Sequence, residues 1–321
     1  MVGSAKGHIL ALMTVTIWGL TFVSTKVLLE SFLPVEILFL RFLLGFVTLC
    51  LMSPHVLRLK ERRHELYFIA AGATGTFLYY LLENIALTYA GAGNIGVTVS
   101  TAPLFTAMIA TALGRERALT PLFVVGFLVA MTGIVLISGQ DVSTAQAGFG
   151  DVLAIAAAVV WAIYSNVLVT LGNAGYETVP MTKRIFAWGL LFIAISSPFF
   201  GADVSHLSNL ADPVNVGNLV FLGLAACAIC FVTWGMSVKL LGASTASTYI
   251  YLSPVITVVA SALVLGEALT PLVVLGIALV LGGLLLSSRP GRKAKGAGGS
   301  GGEAVAKSAT NPTSESTMEV E

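Results

Sequence analysis

Charge is scarce in this chain of 321 residues: Asp, Glu, Lys and Arg make up 10% of it against 56% hydrophobic residues, with a mean hydropathy of +0.92. That balance excludes a water-soluble domain and places the chain in a bilayer. A net charge of +1 leaves no basic face for a nucleic acid, so no such partner is expected. Cysteine is scarce too. Cys50, Cys227 and Cys230 all sit in apolar runs, where a thiol acts as a small hydrophobe. None of His8, His55, His64 or His206 adjoins Cys227-Ala-Ile-Cys230, so no metal site and no cofactor are expected. No GxxxxGK[ST] loop, HExxH pair or credible Ser/His/Asp set occurs. The chain therefore does not read as an enzyme, and any carriage it performs must draw on gradients.

Long apolar runs are abundant instead. Segments of the roughly 20 residues needed to cross about 30 Å of hydrocarbon recur at approximately 8–29, 33–53, 66–88, 92–113, 120–138, 148–171, 178–200, 215–238, 242–264 and 270–288. All must be helical, because lipid offers no partner to unpaired backbone groups. The first has no convincing cleavage site and reads as a retained helix. Arg58, Lys60, Arg62 and Arg63 follow span two, Arg115 and Arg117 follow span four, Lys239 follows span eight, and Arg289, Arg292, Lys293 and Lys295 follow span ten. The loops around Asp141 and from Asp203 to Asp212 carry acids and no Lys or Arg. Positive loops stay in the cytoplasm, which predicts ten crossings of a plasma (inner) membrane with both termini cytoplasmic. Residues 289–321, rich in Gly, Ser, Ala and Thr, have no apolar periodicity and read as a disordered cytoplasmic tail.

The spans repeat. Gly91 to Pro103, GAGNIGVTVSTAP, is matched by Gly242 to Pro254, GASTASTYIYLSP; ALTP recurs at Ala118–Pro121 and Ala268–Pro271. Gly126 and Gly133 match Gly276 and Gly283, and Trp18 and Arg41 match Trp161 and Arg184. The expected fold is an all-α polytopic membrane protein made of two five-helix repeats, 1–146 and 147–288. Five crossings is an odd number, so the second copy enters from the opposite face. Inverted repeats are a recurring plan of secondary transporters.

Trp in the first helix of each half, AGAGNIGVTVSTAPLFTAMIATALGRERALTP and LGASTASTYIYLSPVITVVASALVLGEALTP together resemble the paired EamA repeats of the drug/metabolite transporter superfamily, over residues 8–288. The resemblance implies a ten-helix, exporter-like carrier in which helices one, three, four, six, eight and nine surround a central cavity. Its cargo would be amino acids, other metabolites or drugs. Leu113-Gly114-Arg115-Glu116-Arg117 and Leu265-Gly266-Glu267-Ala268 depart from the family's Leu-Gly-Glu-Arg turn and are expected only to end their helices.

Helical spacing groups Thr14, Trp18, Thr21 and Thr25 on one face, then Thr76, Tyr79 and Glu83, then Asn94, Thr98 and Thr101. Transfer through the repeat adds Trp161 and Tyr164, Phe231 and Trp234, and Thr245 and Tyr249. If these faces converge, they form a pocket for a small amphipathic molecule, polar on the first half and aromatic on the second. The alternative is that the hydroxyls bond back to their own helices and the rings fill space. An ionisable group inside a span costs at least ~2.5 kcal/mol, so Glu83 is a candidate for binding a substrate ammonium or a coupling proton, or for a salt bridge with Arg41 or Lys26. Arg41 needs a partner as well. Lys183 and Arg184 are near enough to a helix end to snorkel. Pro103 and Pro254 interrupt helices four and nine and are candidate hinges. The expected function is alternating-access export of small amphipathic metabolites such as amino acids. A multidrug efflux carrier is the alternative and a channel the more distant one. The expected partners are a small-molecule substrate and the lipid bilayer, with protons a candidate coupling ion and the oligomeric state open.

Overall fold

Helix starts are written into the sequence as proline-led turns. Pro34, Pro121, Pro213 and Pro271 each open a helix at its first position, where the missing N–H costs nothing and the fixed φ is already helical. In both copies of Thr-Pro the threonine is the cap: Thr120 Oγ1 accepts from Phe123 N at 3.1 Å and Thr270 Oγ1 from Val273 N at 3.2 Å. Helices stop on glycine where the chain must turn left-handed, at Gly114 and Gly266, both with φ +69°.

The computed structural model describes residues 2–115, 120–138, 145–241 and 248–287. Outside the described residues lie Gly242 and Thr245, Arg117, Asp141, residues 288–321 with the expected tail, and the Lys239 side chain. In chain order the helices are α1 Val2–Leu28, α2 Pro34–Met52, α3 His64–Ala71, α4 Tyr79–Tyr89, α5 Ala92–Val99, α6 Ala102–Ala112, α7 Pro121–Ser138, α8 Ala145–Asn173, α9 Thr178–Ser196, α10 Pro213–Val220, α11 Cys230–Leu241, α12 Ser253–Leu265 and α13 Pro271–Ser287. A π-helical segment, Gly72–Leu78, joins α3 to α4 without a break, and another, Phe221–Ile229, joins α10 to α11. No strand occurs among the described residues.

Six of the helical stretches, beginning at Ala5, Pro34, Ala92, Gly148, Thr178 and Pro213, are long and apolar enough to cross a membrane; α7, α12 and α13 are shorter apolar helices. Exposed Leu, Val and Ile side chains such as Leu128, Val135, Leu263 and Leu285 would be an aggregation hazard in water and are the expected surface in lipid. The chain is a membrane protein.

Backbone contact replaces side-chain packing where helices cross most closely. On α7 and α13, Gly126 faces Gly283 and Gly133 faces Gly276; a Cβ on Gly126 or on Gly133 would stand 2.5 Å from the opposing carbonyl oxygen. Small residues are what permits such an approach. The sequence expects one kinked helix over 92–113, and the structure divides it. α5 ends at Val99, Ser100 and Thr101 turn, and Pro103 sits in the first turn of α6. Ser100 Oγ and Thr101 Oγ1 donate to the carbonyls of Gly96 and Thr98 at 2.7 Å each, beside the Ser100 and Thr101 N–H groups that bond to the same two carbonyls. Pro254 stands likewise in the first turn of α12, after the 3-10 turn Thr248–Leu252.

Candidate functional site: a cavity walled by rings around Glu83

The interruption of α5–α6 and the first turns of α4 face one another across a cavity of about 90 Å³. Its walls are Trp18, Thr21 and Phe22 of α1, Tyr79, Tyr80 and Glu83 of α4, Val99, Ser100, Ala102 and Pro103 from the break, Trp161 of α8, and Ile250 and Ser253 at the start of α12. Of the residues singled out from spacing, Trp18, Thr21, Tyr79, Glu83, Pro103 and Trp161 meet there.

Glu83 is 1% exposed, and its Oε1 has no hydrogen-bond partner. The Tyr79 hydroxyl interacts with the same carboxylate. Tyr79 also stacks at a tilt on Trp161, with ring centroids 4.7 Å apart, and Tyr80 stands edge-on to Tyr79 at 4.6 Å. The carboxylate is thus held among aromatic faces with acceptor capacity to spare. No ion pair links it to Arg41 among the described residues. Arg41, 1% exposed, lies behind Tyr80 with its guanidinium carbon 4.4 Å from that ring's centroid and 5.5 Å from Phe42's. Its Nε and Nη1 have no partner. Lys26 Nζ donates to the carbonyls of Leu87 and Ala90.

Trp18 is fixed by the second π segment. Its indole N–H donates to the Ala226 carbonyl at 3.3 Å, and an i→i+5 turn is where a helical carbonyl is free to accept from outside. Trp234 packs on Trp18 at 5.3 Å and Tyr164 on Trp161 at 5.0 Å, so both support the wall from behind and neither lines the cavity. Thr21 Oγ1 bonds back to the Trp18 carbonyl at 2.6 Å and Thr14 Oγ1 to the Leu10 carbonyl at 2.8 Å. Thr25 and Thr98, fully buried, keep hydroxyls without partners. Tyr249 is elsewhere, its hydroxyl 2.7 Å from His8 Nδ1.

Asn94 leaves the group altogether. It lines a second cavity, of about 360 Å³, between α5, α12 and α13, and its amide donates to Asp151 Oδ1 at 2.8 Å. Glu267, in the turn expected only to end α12, reaches the same place. Its Oε1 accepts from Ala92 N at 2.6 Å and its Oε2 from Gly93 N at 3.0 Å. The N-cap of α5 is Gly91, which has no side chain to offer, so a carboxylate from the far end of the chain satisfies the orphan donors and meets the helix dipole. Gly91 and Gly93 allow it: a Cβ on either would stand 2.9–3.0 Å from the Glu267 carboxylate. The sequence carries a signal for this in a glycine-capped helix start and an acid placed directly after a helix-ending glycine.

Spacing also missed Tyr80. All three belong to the regular helix α4, where residue 80 is three positions before 83 and shares its face, so Tyr79, Tyr80 and Glu83 line the cavity together. Lys183 and Arg184 both have partners within the protein. Lys183 Nζ donates to the carbonyls of Ser53 and His55 at 2.6 Å each, and Arg184 forks onto the Glu65 carboxylate, which also accepts from Trp188 Nε1 at 2.5 Å. No group of His, Cys, Asp and Glu suited to a metal ion occurs among the described residues.

Comparison with known proteins agrees with this architecture. The EamA-like transporter family matches residues 5–139 and again residues 148–289. An uncharacterized transporter of Archaeoglobus fulgidus is 27% identical over 88% of this chain and 99% of its own length. A probable terminal-alkyne amino-acid exporter of Streptantibioticus cattleyicolor is 28% identical over 86% and 91%. A probable amino-acid metabolite efflux pump of Escherichia coli is 26% identical over 88% and 95%.

Proposed function

The chain belongs to the EamA-like transporter family, and on that footing we propose that it is a secondary carrier that exports small amphipathic metabolites bearing an amino group, amino acids among them, by alternating access. The observation that carries this reading is the Glu83 carboxylate, buried with Oε1 unpartnered in a cavity walled by Trp18, Tyr79, Tyr80 and Trp161. An unpartnered buried charge is costly. A substrate ammonium supplies the missing donor, and rings beside it add cation–π attraction of about 0.5–2 kcal/mol. The names of the exporter and efflux-pump relatives support the amino-acid class. Drug-sized ligands fill sites of about 300–1,000 Å³; a cavity of about 90 Å³ favours a small cargo or a contracted state over a multidrug pocket.

The two halves, 1–146 and 147–288, are read as inverted five-helix repeats making ten crossings. The two family matches support this, as does the exchange of Gly126–Gly283 with Gly133–Gly276 when one half is mapped on the other. In this reading the breaks at Pro103 and Pro254 are the hinges, and Glu83 takes the cargo ammonium or a coupling proton while Arg41 balances its charge across Tyr80. Lys60, Lys183 and Arg184 bond to the 53–65 segment and to the α8–α9 turn at one end of the bundle. Glu36, Asp203 and His206 gather at another site, on the loop after α9. By the positive-inside rule the basic end is cytoplasmic, with both termini, in a bacterial-type inner membrane.

Saturable counterflow of radiolabelled amino acids in liposomes, run beside a wider metabolite panel, tests the proposal. Glu83→Gln is expected to weaken the response roughly tenfold to hundredfold, the worth of one hydrogen bond to a charged group. Trp161→Ala is expected to weaken it less. Unsaturable ion current would indicate a channel, and unchanged flux in both variants would remove the site.

A further inference from the structure

The second cavity, of about 360 Å³, does not belong to the chamber around Glu83: none of its lining residues is shared. Its polar surface has one chemical sense. Asn94 is 7% exposed, and with its amide nitrogen donating to a carboxylate oxygen of Asp151 the remaining atom must be the acceptor Oδ1, which has no partner. Ser261 donates its hydroxyl proton to the Val258 carbonyl at 3.0 Å, which leaves its oxygen to accept. Each Glu267 oxygen takes one N–H of α5 and retains a further lone pair. Lys, Arg and His are absent from the lining. A bare helix start would attract an anion, but here a carboxylate already occupies it. The rest of the wall, with Val97, Val258 and Ile277, is apolar.

We infer that the cavity between α5, α12 and α13 is a second binding site, separate from the transport cavity, for a primary ammonium group on a short apolar body, with Asn94 and Glu267 receiving the ammonium. The same chemistry is offered by a free alkylamine and by the ethanolamine headgroup of a lipid.

The probe is n-hexylammonium, titrated by calorimetry into the purified full chain in phosphatidylcholine nanodiscs, with hexan-1-ol and hexanoate as the neutral and anionic counterparts. Saturable binding of the amine is expected, with the alcohol at least about tenfold weaker, a loss of roughly one charge-assisted hydrogen bond, and no binding of hexanoate. Val273→Phe, which fills the cavity from its apolar wall, is expected to weaken amine binding at least about tenfold. Asn94→Leu is expected to do the same and stands in should the first variant not fold. Because the Glu83 cavity would also take an ammonium, the titration is repeated in Glu83→Gln, where the Val273→Phe-sensitive component is expected to persist. Equal binding of amine and alcohol overturns the proposal, as does binding indifferent to Val273→Phe and Asn94→Leu, or complete loss in Glu83→Gln. Phosphatidylethanolamine added to the nanodiscs separates the sources. Competition assigns the site to a headgroup and unchanged binding assigns it to a free amine; both support the ammonium class.

Discussion

Arg41 and Arg184 share a place in the proposed repeat, one on α2 and the other on α9, yet they are treated in opposite ways. Arg184 is forked onto Glu65, whose carboxylate also receives the Trp188 indole, and its side chain keeps 27% of its surface exposed. Arg41 is sealed behind Tyr80 and Phe42, with Nε and Nη1 unpartnered. The first arrangement is a finished polar network of the kind that fixes a structure. The second leaves donors unpartnered behind a cavity wall, where a second conformation can satisfy them. Two helices matched in the proposed repeat thus differ in whether the hydrogen bonds of their arginine are complete.

The comparison breaks if the two arginines respond alike to removal. Arg41→Leu removes a buried guanidinium that is in no ion pair and whose Nε and Nη1 have no partner, so it sheds a desolvation cost, and Glu83 can give up the charge left behind by taking a proton. It should leave the melting temperature unchanged or raised and reduce amino-acid counterflow by roughly tenfold or more, the worth of about 1.4 kcal/mol. Arg184→Leu should do the reverse. It strands the Glu65 carboxylate, at a cost of about 1–3 kcal/mol in stability, while counterflow stays within about threefold, a change of well under 1.4 kcal/mol. A drop in melting temperature for Arg41→Leu equal to that for Arg184→Leu would show that both are structural. A smaller effect sharpens the point: the double-mutant cycle of Arg184→Leu with Glu65→Gln should give a coupling of about 0.5–3 kcal/mol, and a cycle of Arg184→Leu with Glu83→Gln should give none.

Much of this was legible before any coordinates. Long apolar runs between polar breaks located the helices, because in lipid the backbone has only one way to satisfy itself. The steps of three and four residues picked out Trp18, Thr21, Tyr79 and Glu83, and transfer through the repeat picked out Trp161, all of which line one cavity. What was missed depended on the full width of a helix face, on position along a helix or on contacts across the whole chain. Tyr80 stands three positions before Glu83 on the same face of α4, and the steps drawn through Tyr79 passed it over. Asn94 went elsewhere because it stands in the first turn of α5, beside the start that Glu267 caps, whereas the Glu83 cavity is lined from the far end of that helix and the break after it. Glu267 meets Ala92 and Gly93 across 174–175 positions, a distance at which spacing carries no information.

The loop after α9 offers the mildest test, since its polar contacts are at the surface. Glu36 accepts from the Asp203 backbone N–H at 2.9 Å, and the same carboxylate lies 2.9 and 3.1 Å from His206 Nδ1. The hydrogen bond and charge of Glu36 raise the His206 pKa above its ordinary 6.5. A raised folded-state value means that the contact is at full strength below about pH 6.5 and is lost as pH climbs through the higher folded value. Amide exchange across residues 203–212 should therefore quicken between about pH 6.5 and 8 beyond the intrinsic base-catalysed rise, and His206→Gln should remove that excess. The Arg184–Glu65 contact rests on a guanidinium, which keeps its charge, so with His55→Gln and His64→Gln in place residues 53–65 should show no such step in the same window. A matching step at residues 53–65 would mean that the pH response belongs to the whole bundle and not to this loop.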